Sequence, residues 1–371
     1  MPHCNKQMIS FFLTTKCNLN CRYCYNIDER KKMDEKTLSL EIAQAGIDFF
    51  FEHYNSRHIR FYGPGEPTQE FQLMKQITEY AKCKDDKTTV EIQTNGVFGK
   101  EVREWILENM NIVWISFDGP PDIQNYNRPI GGKYPSAPII EENVRWLNEN
   151  DSDKKIMVGA RVTITSINIE RQKEMVDYFA NLGIRHIWTD PMFPSVGEIP
   201  VCNDDKKMKS YKFDMDSYLK NYVEAFYYAK KKDVFYGSFL ACNFDGLTKY
   251  HCRACTPVPH LTPDGYISAC DMVVLGENAH HMDCFIYGRW DFEDKKFIFY
   301  EDKIAELRSR SVENMEHCHN CEAKLYCGGY CLGEIVNETG NLRGEKTVVC
   351  DAIRRLLKTI GPNQIYEFLH P

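Results

Sequence analysis

The chain has 371 residues, 43% of them hydrophobic, which is enough for a real core and, by length, for two or three domains. Its 46 Lys and Arg against 53 Asp and Glu leave a net charge of −7 with no basic block, so neither nucleic acid nor an anionic membrane is expected as a primary partner. No apolar run nears the roughly 18 residues of a membrane helix, and the start Met1-Pro2-His3-Cys4-Asn5-Lys6 lacks a signal-peptide layout, so a cytoplasmic protein is expected.

From Gln7 to about Lys231 short β-rich runs alternate with stretches of helical period, the pattern of an α/β fold with a parallel sheet under covering helices. Six strands are expected, at Met8–Thr14, His58–Tyr62, Thr88–Gln93, Ile112–Phe117, Ile156–Thr163 and Ile184–Asp190. Asp34 reads as the N-cap of a first helix over Thr37 to Phe51, with Leu38, Ile42, Ala45 and Phe49 at helical spacing. Further helices are expected at Phe71–Cys83, Lys100–Met110, Ile139–Asn150, Ile169–Leu182 and Asp216–Lys231. Six such units are fewer than a closed eightfold barrel needs. After Lys232 the texture changes to cysteines, glycines and short β-like runs such as Tyr266–Ala269, with helical period returning at Asp302–Arg310 and Asp351–Ile360. The expected domains are therefore 1–232 and 233–371.

Sixteen cysteines are anomalous in a reducing compartment, where disulfides are improbable, so metal or cluster ligation is their leading use. Cys17, Cys21 and Cys24 follow the first strand directly, in Lys16-Cys17-Asn18-Leu19-Asn20-Cys21-Arg22-Tyr23-Cys24. A four-iron cluster usually takes four Cys ligands, so three would leave one iron open to a substrate. Taken alone, the trio also suits a zinc knuckle or buried structural thiols.

This segment resembles the signature loop of the radical S-adenosylmethionine (SAM) enzymes. The resemblance implies a partial (βα)6 barrel of TIM-like form, a 4Fe-4S cluster held by the three cysteines, and SAM chelated to the open iron and cleaved reductively to a hydrogen-abstracting deoxyadenosyl radical. Gly63-Pro64-Gly65-Glu66-Pro67 resembles the family's Gly-Gly-Glu-Pro motif, with Pro64 in place of a glycine, and Glu66 would help to hold the SAM ammonium. Strings similar to those of the sulfatase-maturase branch end the third and fourth strands, and imply SAM contacts from Tyr23, Gly65, Ser116 and Arg128. Asn95 and Asp118 read better as strand-end caps.

Cys255, Gly265, Cys270, Cys318, Cys321, Cys327, Cys331 and Cys350 stand at spacings that resemble the SPASM extension of radical SAM enzymes. The resemblance assigns Cys318, Cys321, Cys327 and Cys350 to one auxiliary 4Fe-4S cluster and Cys255, Cys270 and Cys331 to a second, with Cys252 as its fourth ligand. Three clusters and SAM are then the implied cofactors. Zinc is the plain alternative for the Cys252/Cys255 and Cys318/Cys321 pairs. Cys4, Cys83, Cys202, Cys242 and Cys284 need only pack as small apolar groups.

Asp271 resembles the aspartate that follows a cluster ligand in sulfatase maturases and is the expected general base, although it could equally serve only to bond backbone beside the cluster. SPASM proteins mostly modify peptides or proteins, so a peptide or protein substrate is expected, oxidised to formylglycine or to a thioether or carbon-carbon crosslink, with flavodoxin or ferredoxin as electron donor. The short flanks of the motifs lean toward the sulfatase-maturase layout. An iron–sulfur electron-transfer or scaffold protein without SAM turnover is the alternative.

Overall fold

The computed structural model describes residues 7–24, 26, 34–192, 213–277 and 279–362, so Cys4 and Cys202 lie outside the described residues. Strand β1 (Ile9–Phe12) leads to helix α1 (Leu40–His53). The helix is capped by Ser39, whose hydroxyl accepts from the Ile42 N–H at 3.3 Å. Asp34 is not the cap, because the segment after it is held extended: Thr37 bridges Thr14, and the Leu38 N–H donates to Leu13 O at 2.9 Å. The buried stripe of α1 is accordingly Ile42, Ala43, Gly46, Ile47 and Phe50, while the expected Ala45 and Phe49 sit at its margin.

The next elements fall within a few residues of expectation: β2 (His58–Tyr62), α2 (Phe71–Lys84), β3 (Thr89–Thr94), α3 (Lys100–Asn109) and β4 (Ile112–Ser116). Helix α4 (Pro121–Asn127) is unexpected from sequence. Gly119-Pro120-Pro121 reads as a turn, but Pro121 stands in the first turn of a helix, where its missing N–H has no partner to lose. Then come α5 (Ala137–Asn150), β5 (Met157–Ile164), α6 (Gln172–Asn181), β6 (His186–Pro191) and α7 (Met215–Lys231). A further parallel strand, β7 (Phe235–Ser238), follows α7 just where the sequence texture changes. Beyond it lie β8 (His260–Leu261), β9 (Tyr266–Ser268), β10 (Ile286–Asp291), β11 (Lys296–Phe299), α8 (Glu301–Arg308), α9 (Lys324–Cys327), α10 (Leu332–Thr339) and α11 (Thr347–Ile360).

The chain divides into two compact units. One holds Met1–Lys16, Met33–Glu91 and Ala241–Pro371, the other Cys17–Lys32 and Ile92–Leu240. In the first unit the strand order is β11-β10-β9-β8-β1-β2-β3, with β1 parallel to both β2 and β8 and the β8 to β11 run antiparallel. In the second, β4, β5, β6 and β7 pair parallel in sequence order. Large and small residues are matched across that sheet: Trp114 lies opposite Gly159, and Trp188 opposite Gly237. Parallel strands joined through helices leave their C-terminal ends to loops, the usual seat of chemistry in α/β folds.

Candidate functional site

In the second unit the cysteine loop is tied down by backbone and side-chain bonds on both flanks. The Asn20 and Arg22 N–H groups donate to Pro129 O at 3.0 Å and Asn127 O at 2.8 Å, and Arg22 Nε donates to Tyr126 O at 2.7 Å. Asn18 Nδ2 donates to Val97 O at 2.9 Å, and Asn95 Nδ2 to Asn18 Oδ1 at 2.7 Å, so the residues that end β3 hold the loop's start. Cys17, Cys21 and Cys24 are each partly exposed. Burial of its thiol pushes the Cys21 pKa up to about 12, against the pull of Arg128, and charges on Cys24 and Cys17 would raise it further. The three thiols therefore share one neighbourhood.

Asp118, fully buried, organises the residues around that loop. Its Oδ2 accepts a short hydrogen bond from Tyr23 Oη and lies 3.1 Å from both Arg128 Nε and Asn127 Nδ2, while Oδ1 accepts from the Thr163 N–H at 3.0 Å. The Arg128 guanidinium stands 5.1 Å from the Tyr23 ring centroid and donates to Thr163 Oγ1 at 3.2 Å. Burial alone would weaken the charge on Arg128, but Asp118 and the neighbouring Tyr23 and Cys21 hold its pKa well above the usual value. Burial, opposed by Arg128, likewise keeps Tyr23 protonated far above its ordinary pKa. Asp118 is thus more than a strand-end cap. Ser116 ends β4, half-buried, opposite Arg161 in β5.

In the first unit, Gly65 is required by its own chain. The Gly65 N–H donates to Thr14 O at 3.1 Å, the Glu66 N–H donates to Lys16 O at 2.7 Å, and a Cβ on Gly65 would stand 2.2 Å from Lys16 O. Glycine here lets the chain approach the Thr14–Lys16 backbone just beyond β1. Glu66 is buried, and its Oε1 accepts from the Thr68 N–H at 3.1 Å and Oγ1 at 2.9 Å, which caps the short 3-10 turn Pro67–Glu70.

The C-terminal cysteines form two groups. Cys318, Cys321, Cys327 and Cys350 line one cavity. Cys252 is half-buried; burial of its thiol holds its pKa well above the usual value, and charges on Cys255, Cys331 and Cys270 would raise it further, so these four thiols share a second neighbourhood. A Cβ on Gly333 would stand 2.8 Å from Cys270 Sγ, so glycine leaves that thiol its room. Burial raises the thiol pKa to about 11 at Cys318 and to about 12 at Cys327 and Cys331; bound iron would reverse that by deprotonating its ligands. Of the remaining cysteines, Cys242 is buried with Sγ 3.6 Å from His251 Nε2, whereas Cys83 is exposed and packs into no core.

Asp271 sits between two guanidinium groups and a histidine. Arg60 Nη2 donates to Oδ1 at 2.7 Å, His260 Nδ1 lies 2.5 Å from the same oxygen, and Arg253 Nη2 is 3.6 Å from Oδ2. Burial would raise its pKa, but Arg60, His260 and Arg253 hold it well below the carboxylate range. Burial drives His260 the other way, to about 4, which leaves the ring neutral.

Residues 11–189 match the Radical SAM superfamily. The chain carries a radical SAM domain. The radical SAM cyclopropyl synthase TigE of Paramaledivibacter caminithermalis is 22% identical over 95% of this chain and 73% of its own length. A cysteine-type anaerobic sulfatase-maturating enzyme of Clostridium perfringens is 23% identical over 85% of each chain. Among solved structures, native anSMEcpe with bound AdoMet and Cp18Cys peptide superposes with a TM-score of 0.69 at 17% identity, covering 96% of this chain and 98% of its own. Streptococcus suis SuiB bound to its precursor peptide SuiA gives 0.65 at 16%, covering 94% and 76%. The fold is that of these radical SAM proteins, and the protein is an enzyme of oxidoreductase type.

A radical SAM domain implies a 4Fe-4S cluster and SAM. The residues fit the cluster: three partly exposed thiols share one loop beside a buried, fixed cation. The expected SAM contacts Tyr23 and Arg128 are brought together, and the side chain that does so is Asp118. Its signal in the sequence, the string Ser116-Phe117-Asp118-Gly119 ahead of Arg128, was legible as a motif but not as a hub.

Proposed function

We propose that this protein is a peptide- or protein-modifying radical SAM enzyme of the SPASM type. In this reading residues 1–232 form a partial (βα)6 barrel and residues 233–371 hold two auxiliary 4Fe-4S clusters. Cys17, Cys21 and Cys24 hold the SAM-binding cluster, Cys318, Cys321, Cys327 and Cys350 one auxiliary cluster, and Cys252, Cys255, Cys270 and Cys331 the other. The observation that carries the reading is a contrast of three against four: one thiol trio on the N-terminal loop, and two thiol groups of four within 252–350.

When bound, the first cluster and SAM supply a deoxyadenosyl radical that takes hydrogen from a substrate residue. The chain's own part is to bind and orient. Tyr23 and Arg128, braced on Asp118, with Ser116, Gly65 and Glu66, hold SAM; Arg128 is suited to its carboxylate because a guanidinium pairs in bidentate fashion. Asp271 takes up the proton that the oxidised substrate releases. The guanidinium groups of Arg60 and Arg253 and the hydrogen bond from His260 keep it ionised, as a base must be, although a carboxylate held so low is a weak acceptor. The substrate is a peptide or protein segment, in keeping with the peptides bound by anSMEcpe and SuiB, and is oxidised to formylglycine or to a thioether or carbon-carbon crosslink. Flavodoxin or ferredoxin supplies the electron.

Anaerobically reconstituted protein with dithionite and SAM is expected to release deoxyadenosine, and Cys21→Ala to abolish it. No deoxyadenosine from protein with full iron would sink the reading in favour of an electron relay. Asp271→Asn is expected to keep SAM cleavage and lose product, assayed by mass spectrometry on the Cp18Cys peptide with an aldehyde probe and a free-thiol count. Undiminished product would remove Asp271 from its role. An aldehyde selects formylglycine, and loss of a free thiol without one selects a thioether.

A further inference from the structure

Arg310, just beyond α8, is fully buried. Its Nε donates to Leu342 O at 3.1 Å, Nη1 to Gly328 O at 3.0 Å, and Nη2 to Gly329 O. Other buried arginines meet carboxylates: Arg60 and Arg253 meet Asp271, and Arg103 meets Glu142. Among the described residues, the partners of Arg310 are carbonyls only. A cation so placed lacks a compensating negative charge in the protein, and such a charge is expensive to bury.

Two of its three partners lie on the strap Cys327-Gly328-Gly329-Tyr330-Cys331, which carries one thiol of each group of four. The strap is closely fitted. Gly328 and Gly329 have φ of 64° and 87°, and a Cβ would stand 2.4 Å from the Tyr250 carbonyl carbon at Gly328 and 2.5 Å from Arg310 Nη1 at Gly329.

A four-iron cluster on four thiolates is anionic and becomes more so on reduction, and nearby charge and hydrogen bonding set its potential. We propose that Arg310 is the buried counter-charge of both auxiliary clusters and, through the 327–331 strap, holds their reduction potentials up. The inference rests on the auxiliary-cluster reading above, and the experiment separates the two. The full chain is prepared anaerobically with Cys17, Cys21 and Cys24 changed to Ala, so that only auxiliary iron remains, and Arg310→Lys and Arg310→Gln are made on that background. About eight irons per chain are expected, two cubanes of four. Absence of iron there sinks the cluster reading, and this inference with it. With iron present, a redox titration followed by electron paramagnetic resonance is expected to show Arg310→Gln at least tenfold harder to reduce, about 59 mV for a one-electron couple. Arg310→Lys, which keeps the charge and loses the fork, is expected to shift less than half as far. Equal potentials in all three proteins, or equal shifts in both variants, overturn the role. If Arg310→Gln fails to hold iron, the count itself decides: iron retained by Arg310→Lys supports the counter-charge, and equal loss in both makes Arg310 a staple for carbonyls.

Discussion

Asp118 illustrates how one buried carboxylate fixes two side chains, Tyr23 and Arg128. With Tyr23, Arg128, Asn127 and the Thr163 N–H all directed at it, the carboxylate is fully used. Asp118→Asn keeps much of the hydrogen bonding but leaves the Arg128 charge uncompensated, a change of about 3–5 kcal/mol for a broken buried pair. We expect destabilisation of that size in denaturant titrations and at least a tenfold weaker SAM affinity by calorimetry on reconstituted protein. Tyr23→Phe, which loses one hydrogen bond and no charge, is expected to cost only about 1 kcal/mol. Asp118→Asn binding SAM as the unaltered protein does would show that Arg128 is held by something else.

Elements in the second unit are matched by volume as well as by hydrogen bonds. Trp114 in β4 is fully buried, and a Cβ on Gly159 directly across in β5 would come within 2.4 Å of its ring. Gly159→Ala should therefore overpack a rigid side chain and destabilise by about 1–3 kcal/mol, measured by denaturant midpoint. A loss below about 0.5 kcal/mol, the scale of an ordinary surface change, would mean the sheet yields there. Gly237 stands to Trp188 in the same way across β6 and β7, which is one reason β7 escaped a pattern reading: a four-residue strand with a glycine in it carries a weak β signal. The six expected strands carried their own signal in mostly continuous apolar runs. The cap of α1 did not, because Asp34 and Ser39 are both good capping residues and the choice was made by the Thr14–Thr37 bridge.

For the molecule as a whole, iron should matter to folding as well as to chemistry. Between Ala241 and Gly361 many elements are short, and α9 is a single turn of four residues, so little regular structure holds the thiol groups in place. Metal binding by a site not preformed in the unfolded chain contributes directly to folding. Chelated protein is expected to melt at lower temperature than holoprotein and to exchange amide hydrogens faster across 318–350 than across β4–β6. Equal exchange would show that the C-terminal fold stands without iron. The α/β alternation and the three-thiol loop after β1 could be read before any fold was known, because these are spacings along the chain and spacing survives without a fold; the grouping of the later cysteines came from the family resemblance. The folded chain alone shows that Asp118 carries Tyr23 and Arg128, and that Asp271 lies between two guanidinium groups and a histidine. It alone placed the two-residue β8 beside β1, 250 positions away in register at Ser10 and His260. Burial and charge pairing arise between residues remote in sequence, and no local pattern encodes them.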